Sequence, residues 1–139
     1  MSEAENLQIA RQMWDTWNAH DPASYLKLLD EKYTLESDTV PQAIRGLEAA
    51  RGFMQIYIEA FPDLHFNIDQ MIASGDTVVT RWTASGTHRG TLMGIPATNR
   101  RTQTRGCSVG EIRNGKSVHD WVYWDTGNLL RQLGVLPGG

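Results

Sequence analysis

The sequence predicts a single α+β domain over residues 1–139, with helices covering one side of a strongly bent antiparallel sheet. Two observations carry this. Apolar residues recur at the helical period in the first half of the chain and alternate at the two-residue strand period in the second. No repeat or linker separates the halves. Helices segregated from an antiparallel sheet form two layers, each burying one face against the other. A bent sheet closed by helices leaves a conical cavity between the layers.

Each element has its own signal. Ser2 with Glu5 three residues on makes a capping box, and Leu7, Ala10, Met13, Trp14 and Trp17 follow at helical spacing, so a first helix runs to about Ala19. Asp21 and Pro22 read as N-cap and first residue of a short helix whose apolar side is Tyr25, Leu26, Leu28 and Leu29. Tyr33 to Ser37 reads as extended. Apolar positions 47, 50, 53, 54, 57, 58 and 61 give a third helix, which Pro62 ends.

Leu64, Phe66 and Ile68 then alternate with His65, Asn67 and Asp69, and "SGDT" (74–77) supplies a turn. Strands over 77–88, 101–113 and 116–125 are joined by a wide Gly/Pro loop and by a tight Asn114-Gly115 hairpin. Asp125 is placed to cap a C-terminal helix, and Pro137-Gly138-Gly139 reads as a frayed tail.

Composition narrows the function. Sixteen acidic and thirteen basic residues give a net charge of -3, too balanced to favour nucleic acid or an acidic membrane as partner. The arginines at 89, 100, 101 and 105 read as a solvated edge or subunit contact. Cys107 alone excludes an internal disulfide framework, and the absence of a leader-like or spanning apolar run points to a soluble, cytoplasmic protein. His20, His65, His88 and His119 lie far apart without metal-ligand spacing, so no metal is expected.

Four stretches, "AFPDLHFNID" (60–69), "SGTHRGTLMGIPATNRR" (85–101), "RNGKSVHDW" (113–121) and "LLRQLGVL" (129–136), together resemble the SnoaL-like polyketide cyclases, which share the nuclear transport factor 2 (NTF2) fold. The resemblance implies an NTF2-like cone of three N-terminal helices on a bent sheet, enclosing a deep apolar pocket. It also implies catalysis without a cofactor and a homodimer or homotetramer built through the sheet. The activity it implies is an intramolecular aldol closure of a polyketide ester, with an Asp as acid/base and a His on the neighbouring strand assisting. Counted from the Gly115-Lys116 hairpin, those two positions are Val122 and Ser108 here, and neither side chain can carry out that proton transfer. The fold carries over, whereas the chemistry needs another carboxylate.

The stretch "HDWVYWD" (119–125) offers one. Strand alternation puts Val118, Asp120, Val122 and Trp124 on one face and His119, Trp121, Tyr123 and Asp125 on the other. Since Val122 holds the family's acid position, the Asp120 face is expected to line the pocket. A bulge between 116 and 125 would substitute His119. Lodged among apolar side chains, Asp120 would have a raised pKa suited to acid/base work; alternatively it sits at a wet mouth or pairs with an Arg.

Glu36 is either a second carboxylate beside Asp120 or a solvated strand-end charge. Arg81 either clamps an oxyanion in the pocket or reaches solvent on the sheet's open face. His88 either anchors its loop or touches the substrate. Ser108 is placed to orient a carbonyl or a water. Trp14, Trp17, Tyr57, Trp82 and Trp124 would form aromatic walls for a flat, polycyclic ligand.

These readings support a cofactor-independent acid/base enzyme, of the aldol cyclase or isomerase type, acting on a hydrophobic polycyclic or polyketide-like carbonyl compound. Asp120 would be the base, and Ser108 or Arg81 would stabilise the developing oxygen charge. The alternative is a non-catalytic protein that binds a small hydrophobic molecule or assists a partner enzyme. A third possibility is a scaffold whose cavity is filled by Trp82 and Trp124.

Overall fold

In the computed structural model, which describes residues 2–137, the capping box starts helix α1 (Glu3–Asn18): Ser2 Oγ accepts from the Glu5 N–H and the Glu5 carboxylate from the Ser2 N–H, both at 3.1 Å. Asp21 caps α2 (Pro22–Lys27) by accepting from the Ser24 N–H at 3.1 Å. Strand β1 (Leu29–Ser37) starts four residues before Tyr33 and pairs with a two-residue strand β2 (Ile44–Arg45), too short to leave a sequence pattern. Then come α3 (Leu47–Ala60), β3 (His65–Ser74), β4 (Thr77–Thr87), β5 (Arg101–Arg113), β6 (Lys116–Trp124) and a fourth helix α4 (Thr126–Gln132), capped by Asp125. Gly138 and Gly139 of the expected tail lie outside the described residues. None of the described helices is long and apolar enough to cross a membrane.

The six strands form one curved, unclosed sheet in the order β2-β1-β6-β5-β4-β3, with β1 parallel to β6 and the other neighbours antiparallel. Helix α1 packs on β3 and β4, α3 on β1, and α4 on β5. Asn18, at the end of α1, exchanges two hydrogen bonds with the Phe66 backbone, at 2.7 and 3.0 Å. This fixes the α1 aromatics above the sheet: Trp14 lies 5.0 Å from Phe66 and 6.0 Å from Trp82 between ring centroids, and Trp17 lies 5.6 Å from Tyr25.

Two bulges break simple alternation and bend the sheet. On β3, Asp69 is the extra residue between the Ile68–Trp82 and Gln70–Arg81 pairs. The inward positions therefore shift from Phe66 and Ile68 to Met71 and Ala73. On β6, Val118 is the extra residue between the Ser117–Ile112 and His119–Glu111 pairs. Ser117 thus replaces Val118 on the inner face, while Asp120, Val122 and Trp124 stay there.

Small side chains on β5 leave the hollow between the layers. Its inner face reads Thr102, Thr104, Gly106, Ser108, Gly110 and Ile112. The Trp82 indole occupies the space a side chain at Gly106 would take, since a Cβ there would stand 2.2 Å from the ring. Gly106→Ala is expected to displace Trp82 and destabilise the fold by about 1–3 kcal/mol, as overpacking does. Gly52→Ala, inside α3 with no atom within 4 Å of the added Cβ, is expected to stabilise by up to about 1 kcal/mol. Urea unfolding midpoints of the two variants check both signs.

Candidate functional site

A cavity of ≈ 140 Å³ lies between the helices and the inner face of the sheet. Its walls are Trp14 and Trp17 from α1, Phe53 and Tyr57 from α3, Phe66 and Trp82 from the sheet, and Trp124 near the C-terminus. Trp82 and Trp124 line this space and leave it open, contrary to the filled-scaffold possibility. Asp120 is the only Asp, Glu, Lys, Arg or His among the lining residues.

The Asp120 carboxyl is desolvated by the surrounding protein and lines the cavity. Tyr33, fully buried on β1, donates its hydroxyl hydrogen to Asp120 Oδ2 at 2.5 Å. Tyr25 on α2 in turn donates to the Tyr33 oxygen at 3.4 Å. The β6 bulge brings Ser117 Oγ to 3.4 Å from the same Oδ2. Both donors therefore converge on one oxygen. Among the described residues Oδ1 accepts no hydrogen bond, and it stands over Gly110, where a Cβ would lie 2.6 Å from it.

Burial drives the Asp120 pKa up from 3.8 to about 6, against the opposing pull of the Tyr33 and Ser117 hydrogen bonds and of nearby His119. Burial likewise pushes the Tyr25 and Tyr33 hydroxyls above the ordinary phenol range, with the Asp120 charge adding to it. At neutral pH the site is a carboxylate with enhanced basicity beside two tyrosines that stay protonated.

Ser108, two residues from Gly110 on the same face of β5, accepts from the Trp82 indole N–H at 3.0 Å. Its oxygen is oriented by that bond, and its own hydrogen stays free to donate into the cavity. A positioned hydroxyl donor thus stands one inner-face step from the carboxylate.

The structure brings Asp120, Ser108, Trp14, Trp17, Tyr57, Trp82, Val122 and Trp124 to one cavity and leaves three expected residues outside it. Glu36 points to the opposite face of β1, where it is exposed and meets His119 at 2.6 Å, so it forms no pair with Asp120. The reason is alternation: Tyr33 and Leu35 take the inner face and Glu36 the outer one. Arg81 follows the same rule on β4; it is exposed on the outer face and donates to Gln70 Oε1 at 2.9 Å.

His88 is fully buried but lies behind the cavity wall, its Nδ1 accepting from the Thr98 N–H at 3.2 Å and its ring 5.6 Å from Phe61. It is a loop anchor, and burial holds its pKa down. Tyr33, Tyr25, Ser117 and Gly110 were not legible as site residues from the sequence. Apolar periodicity treats the tyrosines as core, and no local pattern marks a bulge. Only the small residues alternating in "TQTRGCSVG" (102–110) hint at a hollow strand face. Among the described residues no group of three or more His, Cys, Asp or Glu is arranged to hold a metal ion.

The family model for SnoaL-like polyketide cyclases matches residues 7–133. Among solved structures, TsrD from Streptomyces laurentii is 29% identical, covers 98% of this chain and 99% of its own, and superposes with a TM-score of 0.87. AclR from Streptomyces galilaeus, provisionally described as a hydroxylase, is 27% identical over 98% of this chain and 100% of its own, also with a TM-score of 0.87. IdmH from Streptomyces antibioticus, provisionally described as a polyketide cyclase, is 25% identical over 94% of this chain and 99% of its own, with a TM-score of 0.81. Curated proteins give no match.

The raised Asp120 pKa sets a sign for stability. Between its ordinary value of 3.8 and about 6 Asp120 binds more protons in the folded state than in the unfolded one, so its contribution to stability falls as pH rises through that window and is level above it. A shift of this size corresponds to roughly 3 kcal/mol. Asp120→Asn is expected to remove this contribution, which the difference between wild-type and variant denaturant unfolding at pH 4, 5, 6 and 7 measures. Tyr33→Phe removes a hydrogen bond to the charged form and is expected to raise the Asp120 pKa further, as read by carboxyl-carbon NMR titration.

Proposed function

This chain belongs to the SnoaL-like polyketide cyclase family, and on that basis we propose that it is a cofactor-independent acid/base catalyst acting on a hydrophobic, polycyclic or polyketide-like carbonyl compound. One observation carries the reading. The single carboxyl of a largely apolar cavity has both of its hydrogen bonds on Oδ2, leaving Oδ1 open over Gly110.

Oδ1 takes a proton from the carbon next to the substrate carbonyl, and the C–H electron pair moves into an enolate whose negative oxygen receives the Ser108 hydroxyl as donor. In an aldol closure the enolate carbon then attacks a second carbonyl of the same molecule. The resulting alkoxide takes the proton back from Asp120. In an isomerisation the proton returns to a different carbon. Either course conserves atoms and electrons without a further reactant. A base with a pKa of about 6 suits this proton transfer, because it is mostly ionised at pH 7 yet about a hundredfold more basic than an ordinary aspartate.

Compared with the resemblance-based expectation, the acid/base group moves one inner-face step along β6, from the Val122 position to Asp120, and the partner on β5 becomes a hydroxyl at Ser108. The aromatic walls supply binding through apolar area, which suits a flat ring system.

The test is deuterium entry next to the carbonyl. Incubated in heavy water with a panel of polycyclic and aliphatic ketones, the wild-type protein is expected to speed exchange above background, and Asp120→Asn to lose at least about a hundredfold of that rate while keeping its circular dichroism spectrum. Exchange unchanged in Asp120→Asn would sink the mechanism. Saturable quenching of Trp fluorescence by ketones that never exchange would instead favour a protein that holds its ligand unaltered.

A further inference from the structure

The cavity floor carries two hydroxyls that the chemistry above does not employ. Thr80 on β4 and Thr104 on β5 are 3% and 6% exposed, and both line the cavity. Among the described residues neither hydroxyl forms a hydrogen bond, whereas neighbouring Thr102 donates to the Gly86 carbonyl at 3.1 Å. The two oxygens are not sealed in protein either. Among the described residues the enclosed polar atoms without a partner are Asn6 Oδ1 and His88 Nε2, and Thr80 and Thr104 are instead residues of the cavity wall.

Their spacing is set by the sheet. Thr80 is registered with Ser108, and Thr104 stands four residues from Ser108 along β5, which places the two threonines about 14 Å apart. Between them the Trp82 indole lies over Gly106; Trp82 is 5% exposed and packs against Trp14 and Phe66. The arrangement is an apolar stretch of cavity wall with an unpaired hydroxyl at each end. An unsubstituted ring system lying on it would strip water from both hydroxyls and give nothing in return, a penalty that a ring bearing oxygen at each end avoids.

We propose that Thr80 and Thr104 are specificity residues that hydrogen-bond two oxygen substituents at opposite ends of an elongated ring ligand held in the cavity. This rests on the ligand class proposed above and is independent of the proton transfer at Asp120. Thr80 holds the oxygen near the reacting end, beside Ser108, and Thr104 holds the remote one. Because hydroxyls both donate and accept, each site takes a ligand hydroxyl or a ligand carbonyl.

Trp-fluorescence titration with anthraquinone and 2,6-dihydroxyanthraquinone tests it without requiring turnover. Wild type is expected to bind the dihydroxy ring at least about tenfold more tightly than the bare ring. Thr80→Val and Thr104→Val should each reduce that preference about three- to tenfold, and the double variant should erase it. Affinity for the bare ring should be unchanged or slightly improved in the variants, which reports an intact cavity. Thr80→Ser and Thr104→Ser, which keep the hydroxyl, should retain the preference. Equal binding of both rings by wild type, failure to bind either, or a preference that survives in the double valine variant would overturn the inference. Loss of deuterium exchange with the preference intact would count against the proposed chemistry alone.

Discussion

The interior is organised around the hydrogen bond from Tyr33 to Asp120. A carboxyl placed among tryptophans and phenylalanines loses most of its hydration, and without a donor its charged form would be strongly disfavoured. Tyr33 supplies that donor from β1, across the one parallel strand pair of the sheet, and Tyr25 supports it from α2. The consecutive elements α2 and β1 thus meet the distant strand β6 through the Tyr33 hydroxyl. Burial still prevails, so the group keeps a pKa of about 6 and remains useful as a base.

The cavity exists because β5 withholds side chains. Gly106 and Gly110 leave room for an indole and a carboxylate that would otherwise collide with the strand, and hydroxyl residues occupy most of the positions between. Val or Leu in place of the hydroxyl residues would bury more apolar area and stabilise the domain, whereas any side chain at Gly106 or Gly110 would collide with Trp82 or Asp120. The emptiness is therefore a local departure from optimal packing of the kind that accompanies a functional site.

Strand β6 shows how one segment serves two environments. On its inner face Ser117, Asp120, Val122 and Trp124 line the cavity. On its outer face His119 stacks on Trp121 with ring centroids 3.9 Å apart and meets Glu36 at 2.6 Å. Two carboxylates on adjacent strands thus have different surroundings: Asp120 is desolvated and held by hydroxyls, and Glu36 lies in solvent beside an imidazole.

Residue order was enough to specify the α+β class, the capping box of α1, the short Asp21-Pro22 helix, the Asn114-Gly115 hairpin and the strand carrying Asp120, because each depends on residues a few positions apart. It also carried the family resemblance. Which polar side chains face inward was settled only by the packing of the whole chain. The outward turn of Glu36 and Arg81 and the displacement of Val118 by Ser117 at a bulge depend on strand register, and the partners of Glu36 and Tyr33 lie more than eighty residues away in the chain. Local periodicity reports the spacing of apolar positions along one element. It is silent on which hydroxyl another element brings to a buried carboxylate, since that contact forms only when distant strands pair.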